Sequence, residues 1–88
     1  MNKLLAEIAI VRSDAELETV QFCKKAKHLW LVRVRQANGS YIVWTWNTQS
    51  EGLCHGAYDC DEEESWKQFY KKRELYGLSH RHPISVVG

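Results

Sequence analysis

The sequence predicts a single α+β domain: an antiparallel sheet of three to five strands with two helices, in the order β-α-β-β-β-α with an optional final strand. Three observations carry this. Asn38-Gly39 separates two β-rich runs, His28–Ala37 and Ser40–Thr48, which together read as a β-hairpin. Ser13-Asp14-Ala15-Glu16 and Asp61-Glu62-Glu63-Glu64 each have the form of a helix-opening capping box. Finally, 88 residues leave room for one hydrophobic core, so residues 1–88 are expected to form one unit.

Taken in order, residues 4–12 mix Ile8, Ile10 and Val11 with Ala and Leu and stop at Ser13. The β-branched content favours a strand, although Leu4-Leu5-Ala6-Glu7 also fits the start of a helix. The helix opened by Ser13 is expected to run to about Lys27 with Leu17, Val20, Cys23 and Ala26 inward. Lys24, Lys25 and Lys27 then sit at the negative end of its dipole. In the hairpin, a two-residue type I′ turn pairs Arg35 with Ile42, Arg33 with Trp44 and Leu31 with Trp46. That puts a mixed aromatic and basic set on one face and a mostly aliphatic set on the other. A bulged turn would change the pairing. Residues 53–59 supply a third strand. The helix from Asp61 to Tyr76 carries Trp66, Phe69 and Tyr70 on one stripe, with Gly77 as its stop. Pro83–Val87 fits a short edge strand, where Pro is tolerated.

Composition narrows the classes. Ten aromatic residues provide core bulk, and a charged fraction of 26% is ordinary for a globular domain. The net charge of +1 creates no global field for a polyanion, so nucleic-acid affinity would need a local patch. Such unevenness exists: Lys24–Arg35 holds five bases and no acid, and Asp59–Glu64 five acids and no base. The N-terminus carries Glu7 inside its apolar stretch and lacks a cleavage pattern. No run approaches the roughly 20 apolar residues of a membrane span. With an odd number of cysteines (Cys23, Cys54 and Cys60), the expectation is a cytoplasmic protein with free thiols and no membrane association.

The candidate binding residues are Arg33, Arg35, Trp44 and Trp46. Guanidiniums beside aromatic rings on an open sheet suit nucleic acid, with bases stacking on the rings and arginines meeting phosphates. The structural alternative buries the tryptophans under the first helix and leaves the arginines at the rim. Trp and Arg are equally the preferred anchors of protein interfaces. Three strands followed by a helix that opens Gly56-Ala-Tyr58-Asp59-Cys-Asp-Glu62-Glu63, with an aromatic at Tyr70, resemble the small AP2-type and phage-integrase arm DNA-binding domains over about half the chain. That resemblance implies DNA reading by Arg and Trp on the strands, with Arg33, Arg35, Trp44 and Trp46 the matching residue types.

Other chemistry finds less support. Cys54, His55, Cys60, His80 and His82 are zinc-ligand types, but Cys54 and Cys60 are not spaced as a short knuckle. Core thiols and a solvated tail explain them as well, so neither metal nor cofactor is expected. Cys54 and His55 would point to opposite faces of a strand, and no phosphate loop or nucleophile elbow occurs. The expected function is therefore a non-enzymatic binding module for nucleic acid. The alternative is a protein-interaction or homodimerising accessory protein, of phage or mobile-element type by analogy. Homodimerisation through an edge strand at 4–12 or 83–87 stays open beside either.

Overall fold

The structure, a computed structural model, describes residues 2–22, 28–77 and 85–86. Its elements are α1 (Asn2–Val11), β1 (Glu16–Phe22), β2 (Leu29–Arg35), β3 (Tyr41–Asn47), β4 (Gly52–Cys60), α2 (Glu62–Leu75) and β5 (Ser85–Val86). The strands form one antiparallel sheet in the order β4-β3-β2-β1-β5. The expected α+β class, with two helices on one antiparallel sheet, is what forms.

The first two elements occur in the opposite order to the expected one. Residues 4–12 are largely helical because Leu4 and Ile8, one turn apart, together reach the sheet and are fully or almost fully buried. Ser13 does not open a helix: Ala15 N–H donates to Arg12 O at 3.1 Å, closing a turn that feeds β1. The three-residue spacing of Leu17 and Val20, helical in appearance, is accommodated in a strand by a register shift between Leu17 and Thr19. The extra residue returns both side chains to the same face. Cys23, Lys24, Lys25, Ala26 and Lys27, expected in that helix, lie outside the described residues.

The two helices take opposite faces of the sheet. Leu4 and Ile8 of α1 pack with Leu17, Val20, Val32, Val34, Ile42, Trp44 and Trp46. On the other face Phe69 of α2 packs with Leu31 and Val43, flanked by Leu29, Ala57, Trp66 and Tyr76. β2 and β3 bury residues on both faces because both faces are covered.

At the hairpin, Gln36 N–H donates to Ser40 O at 2.8 Å and Gly39 N–H to Gln36 O at 2.9 Å. Gly39 has φ +86°, whereas Asn38 is not in the left-handed region a type I′ turn requires of both central residues. Asn38 instead uses its Oδ1 to accept the Ser40 N–H at 3.0 Å. The loop is therefore three residues, Ala37-Asn38-Gly39. The register becomes Arg35 with Tyr41, Arg33 with Val43 and Val32 with Trp44.

β4 is irregular, with register shifts against β3 on either side of Val43 and positive φ at His55 and Asp59. α2 opens as expected: Asp61 Oδ1 accepts the Glu64 N–H at 2.7 Å, and Glu62, Glu63 and Glu64 occupy the positive end of the helix dipole. Gly77, at φ +74°, follows its end. β5 is the short edge strand expected near residues 83–87. No helix among the described residues is long and apolar enough to cross a membrane.

Candidate interaction surface

The hairpin register decides where the four candidate binding residues go. A strand alternates faces, so a one-residue change of pairing moves a whole set of side chains through the sheet. Trp44 and Trp46 lie in the core beneath α1, at 1% and 3% exposure. Arg33 lies on the opposite face, also buried. Arg35 stays exposed, bonded to Glu16 at 3.1 Å and Glu18 at 2.9 Å. Its guanidinium is held above its ordinary pKa, first by the hydrogen bond to Glu16 and then by the two carboxylate charges. The shared Arg/Trp face does not form. The three-residue loop is the reason.

Trp44 is locked from its other side by β4. Its indole N–H donates to the Tyr58 hydroxyl at 2.9 Å, and the rings meet edge to face with centroids 5.9 Å apart. Gly56 permits this, since a Cβ there would come within 2.5 Å of the Tyr58 ring.

On the α2 side the same register assembles a different constellation. The Arg33 guanidinium lies 4.2 Å from the Tyr41 ring centroid and 4.2 Å from that of Trp66, and its Nε donates to Ser65 Oγ at 2.8 Å. Ser65 in turn donates its hydroxyl to Glu62 O at 2.7 Å, back into the first turn of α2. Cation–π contacts of this type contribute roughly 0.5–2 kcal/mol each. They hold the guanidinium plane between two rings while one edge is tied to the helix.

Trp66 continues outward into a stack with Tyr70, 5.8 Å between centroids and 30° between planes. Tyr70 is half exposed. The two rings line a shallow hollow of about 540 Å³ together with Glu63, Lys67, Lys71 and Glu74. Two acids and two bases leave it close to neutral. The expected stripe of Trp66, Phe69 and Tyr70 thus divides: Phe69 is fully buried with Ser65, Trp66 is partly buried against it, and Tyr70 is exposed. Their i,i+4 spacing was the available signal for this platform. Tyr41 and Ser65 gave none, because only the tertiary register brings them to Arg33.

The cysteine-rich strand is tied down differently. Cys54 is half-buried with Sγ 3.5 Å from Thr45 O, and Cys60 is buried at the end of β4. Lys72 of α2 donates to His55 O at 2.6 Å, and burial lowers its pKa. Among the described residues no three His, Cys, Asp or Glu side chains converge to hold a metal ion. His80 and His82 lie outside the described residues.

The resemblance to small three-stranded DNA-binding domains implied Arg and Trp side chains together on the strands. The strand Arg and Trp side chains are nevertheless divided between two faces. No family model, curated protein or solved structure matches the chain.

Proposed function

We propose that the chain is a non-enzymatic protein-interaction module whose contact surface is the outward face of α2, centred on Trp66 and Tyr70. The observation that carries this reading is the stacked pair of large rings, Tyr70 exposed and Trp66 partly buried, with Arg33 fixed against Trp66. Tyr, Trp and Arg dominate the energetic centres of protein interfaces. Rings already held in place lose little conformational freedom on binding. The balanced charges of Glu63, Lys67, Lys71 and Glu74 favour a protein partner over a polyanion, which gains from a one-sign field. The nucleic-acid reading drew its support from an Arg/Trp face that the hairpin register does not form.

The test is selection of peptide binders from a random library, counter-selected against a Trp66→Ala, Tyr70→Ala variant. Binders at least tenfold weaker toward the variant are expected. A library yielding only binders indifferent to the two substitutions overturns the reading. In parallel, binding to mixed single- and double-stranded DNA is measured at two salt concentrations. A salt-dependent affinity lost on Lys67→Ala with Lys71→Ala would return the surface to nucleic acid. Sedimentation equilibrium of the wild type and the double variant reveals whether the partner is a second copy of the chain.

A further inference from the structure

Among the described residues the charge of Arg33 has no acidic counterpart. All 11 Asp and Glu residues fall among the described residues, and none of them pairs with Arg33. Arg33 is nevertheless only 4% exposed. Buried charges in proteins are ordinarily paired. Here the faces of the guanidinium are occupied by Tyr41 and Trp66, and Nε is taken by Ser65. What remains is the edge carrying the two Nη atoms. Neither Nη meets an acceptor among the described residues.

We propose that this edge is the receptor for one carboxylate of the protein partner, with Trp66 and Tyr70 taking the apolar residue beside it. The proposal rests on the interaction reading above and names the chemistry that reading leaves open. A guanidinium fixed in its plane presents two N–H groups in the spacing of a carboxylate's two oxygens, and its immobilisation is already complete before binding. Lysine at this position would supply charge without the fork. The acids around the site set the class of ligand. Asp61, Glu62, Glu63 and Glu64 open the helix that carries Ser65 and Trp66, so a string of phosphates would run past four like charges. A single carboxylate set among apolar residues meets Arg33 at contact distance and avoids that run.

The experiment uses the native full chain, labelled with ¹⁵N, and follows the Arg33 Nε–H and the Trp66 indole N–H by NMR. The probes are the blocked peptides acetyl-Leu-Glu-Leu-amide and acetyl-Leu-Gln-Leu-amide, and a thymidine oligonucleotide, at constant ionic strength. The Glu peptide is expected to move both signals saturably and to bind at least tenfold tighter than the Gln peptide. Arg33→Lys, checked for an unchanged Trp66 signal before titration, should abolish that preference. Equal response to the two peptides overturns the carboxylate receptor while leaving Trp66 and Tyr70 as an apolar contact surface. No response of Arg33 to either peptide overturns the receptor, and the peptide selection then judges the surface independently. A tighter response to the oligonucleotide than to the Glu peptide also overturns it, in favour of a phosphate ligand.

Discussion

Trp44 lies beneath α1 with its one polar atom satisfied by Tyr58, so its ring contributes packing and its N–H is not left unpaired in the core. Trp44→Ala is expected to cost about 3–5 kcal/mol in a urea denaturation, the range for a buried large aromatic. Tyr58→Phe should cost about 1–3 kcal/mol, because it strands the indole N–H. A cost below about 1 kcal/mol for Trp44→Ala would place the ring outside the core. Cys60 behaves as a core residue too. Burial raises its thiol pKa, and the charges of Glu64, Asp61 and Asp59 add to the effect. The fold therefore holds the proton that the unfolded chain releases. Stability linked to Cys60 is present below the ordinary thiol pKa and declines as pH rises through and above it. Iodoacetamide labelling read by peptide mass should modify Cys54 before Cys60, with the Cys60 rate still climbing at pH values where an ordinary thiol has levelled off.

At the level of elements, α2 is set by its first turn and the hairpin by its loop. Asp61→Ala removes the acceptor for Glu64 N–H and is expected to lower stability by roughly 0.5–2 kcal/mol by chemical denaturation. Gly39→Ala has open space around the added methyl but forces an L residue to φ +86°. It should therefore destabilise through backbone strain alone, by about 1–2 kcal/mol. If Gly39→Ala is neutral, the three-residue loop is not the solution conformation and the Arg33 register must be revised. The irregular strand β4 shows the same economy of means. Positive φ at His55 and Asp59 accompanies its register shifts, Gly56 leaves room for Tyr58, and Lys72 ties the bulged segment to α2.

Across the whole molecule, a sheet with apolar residues on both faces needs two covers, and the chain supplies one helix for each. The four tryptophans divide accordingly. Trp44 and Trp46 are internal under α1, while Trp30 and Trp66 are partly buried, against the α1-side and α2-side cores respectively. Acrylamide should quench Trp66 readily and Trp44 and Trp46 poorly. Trp66→Phe is expected to remove part of the accessible fraction and leave that of Trp30, whereas Trp46→Phe leaves it nearly unchanged. A quenchable population that survives Trp66→Phe combined with Trp30→Phe would mean that α1 does not close the first face.

The sequence was enough to establish the α+β class, the hairpin, the third strand and α2. Each of these rests on a local signal: a Gly that reaches positive φ, a run of β-formers, or an acidic cap. It did not decide residues 4–22, where helix and strand patterns compete within a span of weak propensities. There, Leu4 and Ile8 meeting the sheet, and a bulge bringing Leu17 and Val20 onto one face, settled the order. Nor did it decide the binding surface. Arg33 and Trp44 were legible as notable residues, but which side of the sheet each occupies depends on one residue of loop length. Tertiary structure chose the three-residue loop, sent the tryptophans inward, and brought Tyr41, Ser65 and Trp66 around Arg33 from three separate parts of the chain.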